Sequence, residues 1–65
     1  MLLTVNGKTM QTSEATVHKL LVKLGIDPAS VVVERNREIV QRNMQESVSL
    51  RDGDRIEIVH LVGGG

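Results

Sequence analysis

The sequence predicts a two-layer α+β fold, with a mixed sheet of about five strands covered on one face by a single helix. Three observations carry this reading. Asn6-Gly7 separates an apolar, partly β-branched start from a second extended stretch, and such a pair marks a two-residue hairpin because both turn positions need φ > 0. Val17, Leu20, Leu21 and Leu24 fall at i, i+3, i+4 and i+7, the apolar stripe of a helix that lies on a core. Residues 55–61 have the length and composition of a closing strand. A hairpin, one crossing helix and a terminal strand can bury their apolar faces only by layering helix on sheet.

Each element has its own justification. Residues 1–5 form the first strand and residues 8–12 the return. The segment 12–16 is polar and rich in cap residues, and either Ser13 or Thr16 can serve as helix N-cap. The helix spans 17–24, with His18, Lys19 and Lys23 off the apolar stripe. Gly25 is a natural residue for the left-handed position after a helix, and Pro28 prevents resumption. Val31, Val32 and Val33 make a β-branched strand. Asn36-Arg37 separates it from residues 38–40, a second hairpin with a weaker turn, because Arg37 tolerates φ > 0 poorly. Residues 43–47 suggest a short helical turn, and Asp52-Gly53-Asp54 a tight one. On the last strand Ile56 and Ile58 share one face, and Glu57, Val59 and Leu61 share the other. Glu57 marks its face as solvent. Leu20, Leu21, Leu24, Ile56 and Ile58 are therefore the expected core, with Lys19 and Lys23 exposed. Val59 and Leu61 are either ordinary surface residues or, beside the chain terminus, a patch for a partner.

Composition excludes several functions. Sixty-five residues make one domain near the lower limit for a self-sufficient core. There are no cysteines, hence no disulfide, no thiolate metal site and no side-chain thiol to carry sulfur. Eight basic and eight acidic residues cancel and aromatics are absent, which argues against nucleic-acid and anionic-membrane roles. No apolar run reaches transmembrane length, and the N-terminus lacks the regions of a secretory signal, so the expected location is cytoplasmic. His18 and His60 have no metal-ligand spacing. Asp52 and Asp54 flank Gly53 without the remaining acidic positions of a calcium loop. Asn6-Gly7-Lys8-Thr9 lacks the upstream glycine and following helix of a phosphate-binding loop. Ser13 has no histidine nearby in sequence. No catalytic residue and no bound cofactor are expected.

The distinctive feature is the end of the chain, Val62-Gly63-Gly64-Gly65. Such a tail has no side chains, takes almost any backbone conformation, and can thread a narrow channel to present the Gly65 carboxylate. A frayed terminus or a residual linker are the plainer alternatives. A carboxylate resists nucleophiles at neutral pH. Its use in transfer requires activation, commonly as an acyl-adenylate made from ATP, and this chain has no nucleotide site. A partner enzyme must therefore supply one. Attack on the mixed anhydride by an amine gives an isopeptide tag. Attack by sulfide or persulfide gives a thiocarboxylate, a sulfur held without cysteine.

Val5-Asn6-Gly7, Thr16-Val17, Leu20-Leu21, Leu24-Gly25, the set Val33, Glu34, Asn36, Glu38, Ile39 and Val40, and above all Asp52-Gly53-Asp54-Arg55-Ile56-Glu57-Ile58-Val59-His60 with the terminal Val62-Gly63-Gly64-Gly65 resemble the ThiS family, sulfur carriers of thiamine biosynthesis. The resemblance spans essentially the whole chain. Arg37 replaces a glycine common in the family's second turn, and Gln41 stands where proline is common. The resemblance implies a β-grasp, ubiquitin-like domain over residues 1–65 with a flexible tail at 63–65. It implies that the chain is no enzyme but a carrier, monomeric when free. Gly65 would be adenylated by a ThiF-type enzyme using ATP and converted to a thiocarboxylate with a sulfur-donor enzyme. Gly63 and Gly64 would thread into the partner, with Val59, Leu61 and Val62 at the interface, and sulfur would pass to a ThiG-type thiazole synthase. Other carriers remain alternatives, namely the small subunit of molybdopterin synthase or a tRNA-thiolation carrier, although the former tends to be longer and to carry aromatics. A protein-conjugating modifier or a plain β-grasp interaction module are further alternatives.

Overall fold

The Asn6-Gly7 turn forms as the sequence predicts. Asn6 and Gly7 have φ of 49° and 81°, and they join β1 (Leu2–Val5) to β2 (Lys8–Gln11) as an antiparallel pair. The structure is a computed structural model that describes residues 1–62; the predicted tail, Gly63 to Gly65, lies outside the described residues.

Helix α1 (Val17–Lys23) follows. Thr16 is its N-cap, with Oγ1 accepting from the Lys19 N–H at 3.2 Å. Long-range pairing decides between Thr16 and Ser13. The Leu50 N–H donates to the Ala15 carbonyl (2.9 Å) and the Val17 N–H to the Val48 carbonyl (3.2 Å), which holds the chain extended until Thr16. The helix ends at Gly25, φ 73°. There the Gly25 N–H donates to the Val22 carbonyl and the Ile26 N–H to the Leu21 carbonyl, the paired bonds of a Schellman stop.

A single 3-10 turn (Pro28–Ser30) leads into β3 (Val31–Arg35), then β4 (Glu38–Val40). Their turn places Asn36 and Arg37 at φ 51° and 73°, so Arg37 does adopt the left-handed backbone that glycine takes at lower cost. Gln41 has φ −58°, a value proline would share. The helical turn expected at 43–47 begins one residue earlier and is tighter, a 3-10 turn over Arg42–Met44. Strand β5 (Arg55–His60) runs in the middle of the sheet, whose order is β2-β1-β5-β3-β4, parallel to β1 and antiparallel to β3.

Leu3, Val17, Leu20, Leu21, Val31, Val33, Val40, Leu50, Ile56 and Ile58 form the core between α1 and the sheet. Leu20, Leu21, Ile56 and Ile58 are buried and Lys19 and Lys23 exposed, as expected. Leu24 corrects the expectation: it is 39% exposed. It occupies the helix C-cap, one residue before the left-handed Gly25, and Ile26, partly buried after that reversal, packs against the core.

Candidate functional site

The last strand precedes the three glycines in sequence, so the groups that hold its register frame the candidate site. At its start, Asp54 is 6% exposed. Its Oδ2 accepts from Arg35 Nε and from the Arg51 N–H, both at 2.8 Å, and its Oδ1 accepts from Asn36 Nδ2 at 3.0 Å. Burial pushes the carboxyl up, but these hydrogen bonds with the Arg35 charge together hold it below its ordinary value. Asn36 Oδ1 in turn accepts from the Arg55 N–H at 2.9 Å. On the other side Asp52 Oδ1 accepts from the Leu2 N–H at 2.7 Å. The Asp52-Gly53-Asp54 turn thus ties both hairpins to the entry of β5. The sequence reading assigned it as a turn and missed this role, because one aspartate in a turn looks like any other until its partners arrive.

At the far end, the Leu61 N–H donates to the Ser30 carbonyl at 2.9 Å, the last backbone bond of the ladder. Val62 is 95% exposed, and the residues beyond it, Gly63, Gly64 and the reactive candidate Gly65, lie outside the described residues. Val59 and Leu61 are each 56% exposed on the open sheet face, opposite the helix, as the strand's alternation predicts. The register adds two residues that the sequence reading did not include. Val32 lies directly opposite Val59, and Ile39 opposite Glu34, while Val31, Val33 and Val40 turn inward. Val32, Ile39 and Leu61 border one shallow cleft of about 230 Å³. In a run such as Val31-Val32-Val33, all apolar, inward and outward positions cannot be told apart without the sheet.

The described residues include no cluster of three or more metal-ligating side chains. His18 Nε2 lies 3.9 Å from Glu46 Oε1 on the helix side; His60, exposed, lies near the end of β5. The His18–Glu46 contact is loose and Glu46 is exposed. No helix among the described residues is long and apolar enough to cross a membrane.

The family model described as ThiS family matches residues 3–65. The chain is 41% identical to the sulfur carrier protein ThiS of Bacillus subtilis, over 98% of this chain and 100% of that one. It is 46% identical to a segment of a thiazole synthase of Paramagnetospirillum magneticum, over 100% of this chain but 20% of that protein, so it spans about a fifth of that relative's length. A crystal structure of the thiamine biosynthesis protein ThiS from Geobacter metallireducens superposes with a TM-score of 0.85 at 36% identity, covering 100% of both chains. The five-stranded sheet with its single crossing helix is accordingly a β-grasp, and the chain belongs to the ThiS family.

Proposed function

We propose that this chain is the sulfur carrier of thiamine biosynthesis and that Gly65 carries the sulfur as a thiocarboxylate. The observation that carries the reading is a central strand that ends at His60 and continues through an exposed Val62 to three glycines, in a chain that has no cysteine. The terminal carboxylate is the group suited to hold sulfur. Its oxygen attacks the α-phosphorus of ATP on a ThiF-type enzyme and pyrophosphate leaves. A persulfide on a donor enzyme then attacks the acyl carbon and AMP leaves. A thiol next attacks the donor-side sulfur of the resulting acyl disulfide, forming a disulfide with the donor and releasing the thiocarboxylate. Gly63 and Gly64 thread the channel, and Val59, Leu61 and Val62 dock at its mouth. The chain is thus a co-substrate and holds no cofactor of its own. A segment similar to this chain within a longer thiazole synthase supports a ThiG-type synthase as the sulfur acceptor, since one polypeptide would unite donor and acceptor.

The test is intact mass after incubation with the ThiF-type enzyme, ATP and a sulfur source. The parent should gain the difference between sulfur and oxygen, located at the C-terminus. Deleting Gly65 leaves a carboxylate up to about 3.6 Å short along an extended tail. A misplacement of about 1 Å can already cost a hundredfold in rate. The truncated chain should melt like the parent yet fail to gain sulfur. Thiolation at the parental rate, or sulfur placed elsewhere in the parent, would overturn the proposal.

A further inference from the structure

The open sheet face carries an arrangement that stability alone does not favour. Glu34 on β3 lies directly opposite Glu57 on β5, and both are half-buried. Residues directly opposite on neighbouring strands have Cβ atoms about 4.5–5.5 Å apart, and like charges there repel. Compensation within the chain is slight. Arg55 Nε lies 3.9 Å from Glu57 Oε1, a loose contact between partly solvated side chains, and Glu34 has no ion-pair partner among the described residues. Arg35, next in sequence, is already committed to Asp54.

The pair sits within apolar surroundings. Ile39 flanks Glu34 on the next strand, and Val32 and Val59 form the adjoining cross-strand pair, with Leu61 beyond them toward the tail. The chain is neutral in sum, so the negative charge here is local. We infer that the Glu34–Glu57 pair receives an arginine of the adenylating partner, with Val32, Ile39, Val59 and Leu61 forming the apolar surround. Arginine fits better than lysine. Its planar fork presents several donors and can bond two carboxylates at once, and its weakly hydrated guanidinium is desolvated more cheaply against aliphatic side chains. The repulsion tolerated in the free carrier is relieved in the complex, so the pair contributes to partner selection rather than to folding. This rests on the carrier reading above and specifies the chemistry of its docking surface.

The test compares the parent with Glu34→Gln, Glu57→Gln and the double variant. Binding to the ThiF-type enzyme is measured by calorimetry at low and high salt, and thiocarboxylate formation by intact mass at saturating enzyme. The double variant should melt no lower than the parent, bind at least about tenfold more weakly at low salt, lose much of the parent's salt dependence, and still be thiolated at saturation. Parental affinity and salt dependence in the double variant would overturn the proposal while its thiolation leaves the carrier reading standing. Parental binding that a chelator abolishes would assign the two carboxylates to a metal ion and also overturn it. A parent that neither binds nor is thiolated would overturn both.

Discussion

The side chain of Asn6 accepts a hydrogen bond from the Ile58 N–H at 2.7 Å, joining the first turn of the chain to its last strand across 52 residues. Asn6 meets two demands at once. It takes φ 49°, which asparagine tolerates better than most residues, and it satisfies a backbone donor of β5 in the middle of the sheet. Asn6→Ala should cost about 1–3 kcal/mol by leaving that donor unpaired. Asn6→Gly, which keeps the backbone preference, should lose the acceptor without the strain. Chemical denaturation of both variants separates the two contributions. Equal stability of parent and Asn6→Gly would show that only the turn conformation counts.

Asp54 predicts an acid sensitivity. Its folded-state pKa is lowered, so the unfolded chain binds its proton more readily than the folded one. Its contribution to stability is therefore full above the unfolded carboxyl value of about 3.9 and is lost as pH falls through the lower folded value. Asp54→Ala should cost about 2–4 kcal/mol near neutral pH, because it strands the Arg35 guanidinium and two further donors. The gap between parent and variant should narrow in denaturant titrations carried below about pH 4. A gap that stays constant into that range would contradict the assignment.

The helix face makes a paired prediction. Leu21 is fully buried and Leu24 is 39% exposed. Leu21→Ala should cost about 2–5 kcal/mol, a large share of the stability a domain of this size holds. Leu24→Ala should cost clearly less, about 1 kcal/mol or below. Similar losses in thermal or chemical melts would mean that the C-cap residue is as important to the core as the stripe that precedes it.

Leu61→Glu tests the docking patch. Leu61 is 56% exposed, so the fold should be unchanged by circular dichroism and melting. Binding to the ThiF-type enzyme should weaken, through lost apolar contact and an unpaired charge buried at the interface. Unaltered binding by calorimetry would remove Leu61 from the interface.

The second hairpin offers a stabilising change. Arg37 is held at φ 73°, where a residue with a Cβ is strained by about 1–2 kcal/mol. Glycine removes that strain at a smaller entropic cost. Arg37→Gly should therefore raise stability by about 0.5–1 kcal/mol in denaturant melts, and a loss of stability would show that the arginine side chain has contacts worth more than its strain.

The sequence by itself determined the features written in short stretches of chain. Asn6-Gly7 dictates its turn because both residues accept positive φ, the Val17-Leu20-Leu21 stripe dictates a helix face, Gly25 dictates the helix stop, and Glu57 marks which side of the last strand meets water. The proposed chemistry rests on the same kind of signal, since three terminal glycines and the absence of cysteine are features of the sequence alone. Only the tertiary structure decided what depends on distant partners. It chose Thr16 as the cap by pairing residues 15–17 with residues 48–50. It sent Leu24 outward and Ile26 inward, made Asp54 the anchor of β5, and set Val32 and Ile39 beside Val59 and Leu61. Local signals fix dihedral angles over a few residues. Burial, register and ion pairing are set by which segments meet across the sheet, and β5 lies between β1 and β3, neither of which is its neighbour in sequence.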